Sequence, residues 1–172
     1  KQIKSIVGQQ QLNPLRKALV EDIIGAEGAA VPSSAQIAKK LADYKYKMPE
    51  LLTPVQSAQV TKFAKTGELP QFIQTDLEKK LLNISKRNPS QIVDAVMGGD
   101  PTISRAIKNV SAKEDWQFYR RKMAEKLLGE SEAELLSSKQ MAKNFSKLDP
   151  EYRRLFFSDG ELRDLEKVGE IQ

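Results

Sequence analysis

Few side chains in this chain could do chemistry. Glu130-Ser131 places a carboxylic acid after a glycine, and an acid held in a cleft can protonate a glycosidic oxygen. Glu161, Asp164 and Glu166 lie within two helical turns of one another and could hold a hard cation. Gly98-Gly99-Asp100-Pro101 is the nearest approach to a phosphate-cradling loop, yet it has neither the GxGxxG nor the GxxxxGK pattern. Residues 103–126 carry seven basic and three acidic side chains with Trp116, Phe118 and Tyr119 among them, the composition of a surface that meets phosphates.

Each of these has a plainer physical reading. Glu130 stands in the acidic stretch Glu130-Ser131-Glu132-Ala133-Glu134, a solvated helix start favoured by the helix dipole. Arg163 and Lys167 interleave with the three acids and predict intrahelical ion pairs. Gly98-Gly99 reads as a helix stop and Asp100 as the cap of the next helix. Trp116 and Tyr119 fall on the same helical face as Met123 and Leu127 and predict core, with Arg120 and Arg121 exposed. What remains as a candidate surface for nucleic acid or an acidic partner is Arg105, Lys108, Arg120, Arg121, Lys122 and Lys126.

Composition narrows the chemistry further. The chain has 172 residues and neither His nor Cys, which removes the usual zinc, haem and iron–sulfur ligand sets and the Ser-His-Asp and Cys-His nucleophiles. Most acids lie beside Lys or Arg at helical spacing and are expected to stay solvated and ionised, so no catalytic residue, cofactor, metal or small-molecule substrate is expected. The net charge of +5 comes from 28 basic and 23 acidic residues, a mixture that suits a salt-laced helical surface. No uncharged run reaches a dozen residues, whereas a membrane-spanning helix needs about 20 apolar ones. The start at Lys1-Gln2-Ile3, with neither Met nor an apolar leader segment, is expected of an excerpt from a longer polypeptide.

The elements that must position these residues are helices. Leu15, Leu19 and Ile23 recur at helical spacing, as do Trp116, Tyr119, Met123 and Leu127, and no segment alternates like a strand. Oxygen-bearing caps followed three residues later by Glu or Gln occur at Ser33/Gln36, Thr53/Gln56, Thr75/Glu78, Asn88/Gln91, Ser111/Glu114, Ser137/Gln140 and Ser158/Glu161. Proline follows Asn13, Thr53, Asn88, Asp100 and Asp149, where its missing N–H costs nothing at a first helical position. The signals predict an all-α chain with helices near 2–8, 13–25, 34–44, 54–65, 71–86, 89–97, 101–109, 112–128, 138–147, 150–157 and 159–168.

An offset of 104 residues aligns 3–52 with 107–156 without a gap, and twelve of those 50 positions are identical. Random pairing would give about 3. Arg16 pairs with Arg120, Glu21 with Glu125, Gly25 with Gly129, Ser33 with Ser137 and Gln36 with Gln140, while Leu19 pairs with Met123 and Leu41 with Phe145. A one-residue insertion then brings Thr53/Gln56 onto Ser158/Glu161. The expected architecture is a short-helix bundle or solenoid-like array: a first repeat over 1–68, connecting helices over 69–102 and a second repeat over 103–172.

The run from Asp100-Pro101 to Ile107-Lys108, then Glu114-Asp115-Trp116 to Leu128, Leu148-Asp149-Pro150-Glu151-Tyr152-Arg153-Arg154-Leu155-Phe156 and Leu162 to Val168 resembles the helical repeats of very large phage internal virion proteins of the DNA-ejection type, some of which carry a transglycosylase domain elsewhere. Residues 3–63 look like the same pattern. The resemblance implies a non-enzymatic structural module in a virion, with flanking repeats of a parent chain, other virion proteins or DNA as partners. A cytoplasmic adaptor of helical repeats and a helical nucleic-acid-binding domain are the alternatives that the same residues allow.

Overall fold

The computed structural model describes residues 9–129 and 136–170. Among them are ten α-helices, one 3-10 turn and no strand: α1 (Gln9–Ile24), α2 (Ser34–Lys47), the 3-10 turn (Pro49–Leu51), α3 (Pro54–Thr66), α4 (Gln71–Arg87), α5 (Pro89–Met97), α6 (Pro101–Val110), α7 (Lys113–Leu128), α8 (Ser138–Ser146), α9 (Pro150–Phe156) and α10 (Asp159–Glu170). The all-α class expected from the periodicity is the class of the protein. The expected helix near 2–8 lies outside the described residues.

Local capping explains most boundaries. Ser33 and Thr53 make complete capping boxes with Gln36 and Gln56, and Ser158 and Glu161 exchange the same pair of bonds. Asp100 accepts from the N–H groups of Thr102 and Ile103, and Asp149 from those of Glu151 and Tyr152, each ahead of a first-turn proline.

Three expectations at helix starts are corrected. Asn13 does not start a helix, because α1 already runs from Gln9 and passes through Pro14; a proline there removes one backbone bond, and packing of the following turns tolerates the loss. Thr75 lies inside α4 and its hydroxyl donates back to Gln71 O at 3.1 Å. Ser111 closes α6, donating to Ile107 O at 2.7 Å, so α7 begins after Ala112 with no side-chain cap.

The described chain forms two compact units, Lys1–Ile92 and Val93–Gln172, with the division inside α5. In unit 1, α1 packs on α2 and α4, α2 packs on α3, and the 3-10 turn lies against α1 and α2. Leu19, Ile23, Ile37, Leu41, Leu51, Phe63, Leu77 and Leu81 fill its core. In unit 2, α7 packs on α8, α8 and α9 on α10, and α6 on α9. Trp116, Tyr119, Met123 and Leu127 form the buried stripe that their spacing predicts, joined by Phe145, Tyr152 and Phe156. The Trp116 ring stacks on Phe156 with centroids 5.0 Å apart, and the Tyr152 hydroxyl donates to Val96 O.

Each unit also ties its long helix to the segment that follows its second helix. Arg16 Nε donates to Leu51 O at 3.3 Å, and Arg120 Nε donates to Phe156 O at 2.6 Å. Gly25 and Gly129 follow α1 and α7 with positive φ, 81° and 108°, where a side chain would be strained.

Candidate functional site

The candidate basic surface is built from α6 and α7, and the structure gives most of its members intramolecular partners. Arg105 pairs with Glu151 at 3.5 Å. The Lys108 ammonium donates to Leu155 O at 3.4 Å and lies 5.4 Å from the centre of the Trp116 ring. Lys122 pairs with Glu125 at 2.8 Å, and Lys126 donates to Met97 O at 3.1 Å.

Arg120, expected to be exposed, is half-buried, because its guanidinium is spent on Phe156 O and on both carboxylate oxygens of Glu161 at 3.0 Å. Arg121 is exposed with no hydrogen-bond or ion-pair partner among the described residues. At about 100° per residue, Arg120, Arg121 and Lys122 point to three different sides of α7. The helix therefore spreads these charges round its circumference rather than gathering them on one face.

The other sequence candidates resolve in the same direction. Glu130 and Ser131 lie outside the described residues. Asp164 pairs with Lys167 at 3.6 Å, Glu161 turns to Arg120, and Arg163 donates to Asp159 O at 3.2 Å instead of pairing with an acid. Hydrogen bonds from Ser158 and the charge of Arg120 hold the Glu161 carboxyl below its ordinary range, although partial desolvation opposes them. Gly99 has φ 83° and precedes the Asp100 cap, so the glycine pair ends α5 rather than cradling an anion. Among the described residues there is no cluster of three or more metal-ligating side chains, and no helix is long and apolar enough to cross a membrane.

One site was not visible in the sequence. Along α4, Ile73, Leu77, Leu81 and Ile84 are buried, and Lys80 is buried with them. Its ammonium donates to Ile24 O at 2.7 Å and Gly25 O at 3.2 Å, with Ala30 O at 3.5 Å, closing the C-terminal end of α1 where carbonyls lack helical partners. Burial lowers the pKa of this lysine from its ordinary value. A cleft of about 540 Å³ opens beside it, lined by both acids and bases. Its rim charges are paired with each other: Lys17 with Glu21 at 3.8 Å, Lys79 with Asp76 at 3.5 Å and Arg87 with Glu27 at 2.7 Å. The ammonium meets the carbonyls of Ile24, Gly25 and Ala30, so the arrangement locks a helix end at the side of the cleft. A lysine amid Glu78-Lys79-Lys80 carries no sequence signal for this role; only its place on the apolar stripe hinted at it.

Comparison of the chain with protein-family models, curated proteins and solved structures gives no match.

Proposed function

We propose that the chain is a non-enzymatic structural module built from a duplicated helical unit, and that it serves in a virion as part of a large internal protein of the DNA-ejection type. The observation that carries the duplicated unit is the arginine tether: Arg16 and Arg120 are aligned at the 104-residue offset, and each reaches the carbonyl of an aligned segment, Leu51 in one case and Phe156 in the other. The same order of contacts, first helix on second and second on the helix after the tethered segment, recurs in both units. So do the Ser33 and Ser137 caps. A duplicated helical unit whose basic side chains are mostly engaged by its own acids and carbonyls suits stacking against like units better than catalysis. The virion setting is supported by the resemblance of residues 100–168 to the repeats of that protein class.

The test has three arms on the full chain. A structural module gives no glycan hydrolysis, no DNA retention with a steep salt dependence, and peptides recovered from purified particles of the phage that encodes it. Hydrolysis abolished by Glu130→Gln would replace the proposal with a transglycosylase. A steep salt slope lost in Arg121→Ala would replace it with a nucleic-acid-binding domain, and absence from particles would remove the virion setting.

A further inference from the structure

The two units close the C-terminal end of their long helix with different donors. α1 ends at Ile24 and α2 begins at Ser34, while α7 ends at Leu128 and α8 begins at Ser138, so these boundaries match at the 104-residue offset. In unit 2 the backbone just before α8 reaches back to the helix, and Leu136 N–H donates to Leu128 O at 3.1 Å. The residue of unit 1 aligned with Leu136 is Pro32, which has no N–H to give. The carbonyl aligned with Leu128 O is Ile24 O, and Lys80 of α4 meets it instead at 2.7 Å. The same ammonium lies 3.5 Å from Ala30 O, so it joins the helix end to the backbone approaching α2, the two parts that the Leu136 bond joins directly in unit 2. Gly25 leaves room for this approach, since a Cβ there would stand 3.0 Å from Lys80 Nζ.

We propose that α4 is a strap on unit 1: Lys80 stands in for the backbone donor that Pro32 lacks, and loss of its ammonium opens the last turn of α1 and the connection to α2, whereas the matching end of α7 is closed by its own chain. The proposal rests on the duplicated-unit reading, which supplies the alignment of Pro32 with Leu136. It deepens that reading, because it makes the first repeat depend on a helix from the connecting stretch 69–102. Carbonyls at a helix end need donors, and a charged donor makes a stronger bond than an amide, so a lysine on a packed neighbour can replace the missing N–H. α4 packs on α1 with Ile73, Leu77, Leu81 and Ile84 buried, and this stripe sets Lys80 at the height of the helix end. The bond therefore ties the closure of α1 to the packing of α4.

The experiment follows amide exchange in the full ¹⁵N-labelled chain and in the variants Lys80→Met, Lys80→Met/Pro32→Leu and Leu136→Pro. Lys80→Met is expected to speed exchange about tenfold at Ile23 and Ile24, with Leu127 and Leu128 of α7 unchanged. Adding Pro32→Leu should restore the parent rates and give a slowly exchanging amide at position 32, as Leu136 has in unit 2. Leu136→Pro should do the converse, speeding exchange at Leu127 and Leu128 and leaving Ile23 and Ile24 as they were. Methionine keeps the apolar stem on the buried stripe of α4, so the variants are expected to fold, which slow exchange at Ile37 and Leu41 verifies. No acceleration in Lys80→Met, a double variant as fast as Lys80→Met, a freely exchanging amide at position 32, or an α7 end indifferent to Leu136→Pro overturns the proposal. The Nε–H signals of Arg16 and Arg120 in the same spectra report the tethers. Protected signals without rescue by Pro32→Leu remove the strap alone, whereas loss of protection at both arginines removes the duplicated unit beneath it.

Discussion

Arg120 Nε donates to the carbonyl of Phe156 at 2.6 Å, joining α7 to the end of α9, the helix that supplies the aromatic partner of Trp116. A charged donor to a partly buried carbonyl is among the stronger hydrogen bonds a helical unit can make, because each partner stays poorly solvated if the other is removed. Arg120 adds the bidentate contact to Glu161, so a single side chain connects α7, the end of α9 and the start of α10.

Replacing Arg120 with Met should therefore lower stability by about 1–3 kcal/mol in urea denaturation. Arg16→Met should cost less, because its bond to Leu51 O is longer at 3.3 Å and brings no ion pair with it. Equal losses at the two positions would show that the Glu161 contact contributes nothing measurable.

The serine caps grade in the same manner. Ser33→Ala should cost about 1 kcal/mol, since it removes both halves of a capping box. Ser137→Ala should cost less, because the Gln140 side chain turns to Asn144 at 2.8 Å instead of back to the cap. Thermal denaturation of the two single variants checks the order.

Lys80→Met keeps the apolar stem and deletes the ammonium, leaving Ile24 O and Gly25 O without their donor. The expected cost is roughly 1–3 kcal/mol, with amide exchange accelerated in the last turn of α1. A variant as stable as the parent, with unchanged exchange there, would mean that water replaces the lysine at those carbonyls.

Glu161 predicts a pH effect with a defined sign. Its folded pKa lies below its ordinary 4.5, chiefly through hydrogen bonds from Ser158, with the Arg120 charge adding to them. Above 4.5 the carboxylate is ionised folded and unfolded, and its stabilisation is fully present. As pH falls through the lowered folded value, the unfolded chain has already bound its proton, and the contribution is lost. The difference in stability between the parent and Glu161→Gln should accordingly shrink on acidification below 4.5 and stay constant above it. Denaturant midpoints of both proteins across the acid range measure this.

The sequence by itself determined what depends on bonds within four residues. The helical class, the caps at Ser33, Thr53, Asp100, Asp149 and Ser158, and the buried stripe from Trp116 to Leu127 follow from periodicity and from backbone groups that a nearby side chain can reach. Even this local chemistry went astray where two local partners compete: Thr75 and Ser111 carry the residue types of a cap but donate backwards to Gln71 O and Ile107 O. Tertiary structure alone decided the rest. Lys80 sits 56 positions from Ile24 and Arg120 sits 36 from Phe156, and whether such a side chain meets a carbonyl or water depends on which helix packs beside it. Arg120 and Arg121 are neighbours of the same type in the sequence, yet the first is half-buried and satisfied while the second is exposed, because a step of about 100° round α7 turns one toward the end of α9 and the other to solvent.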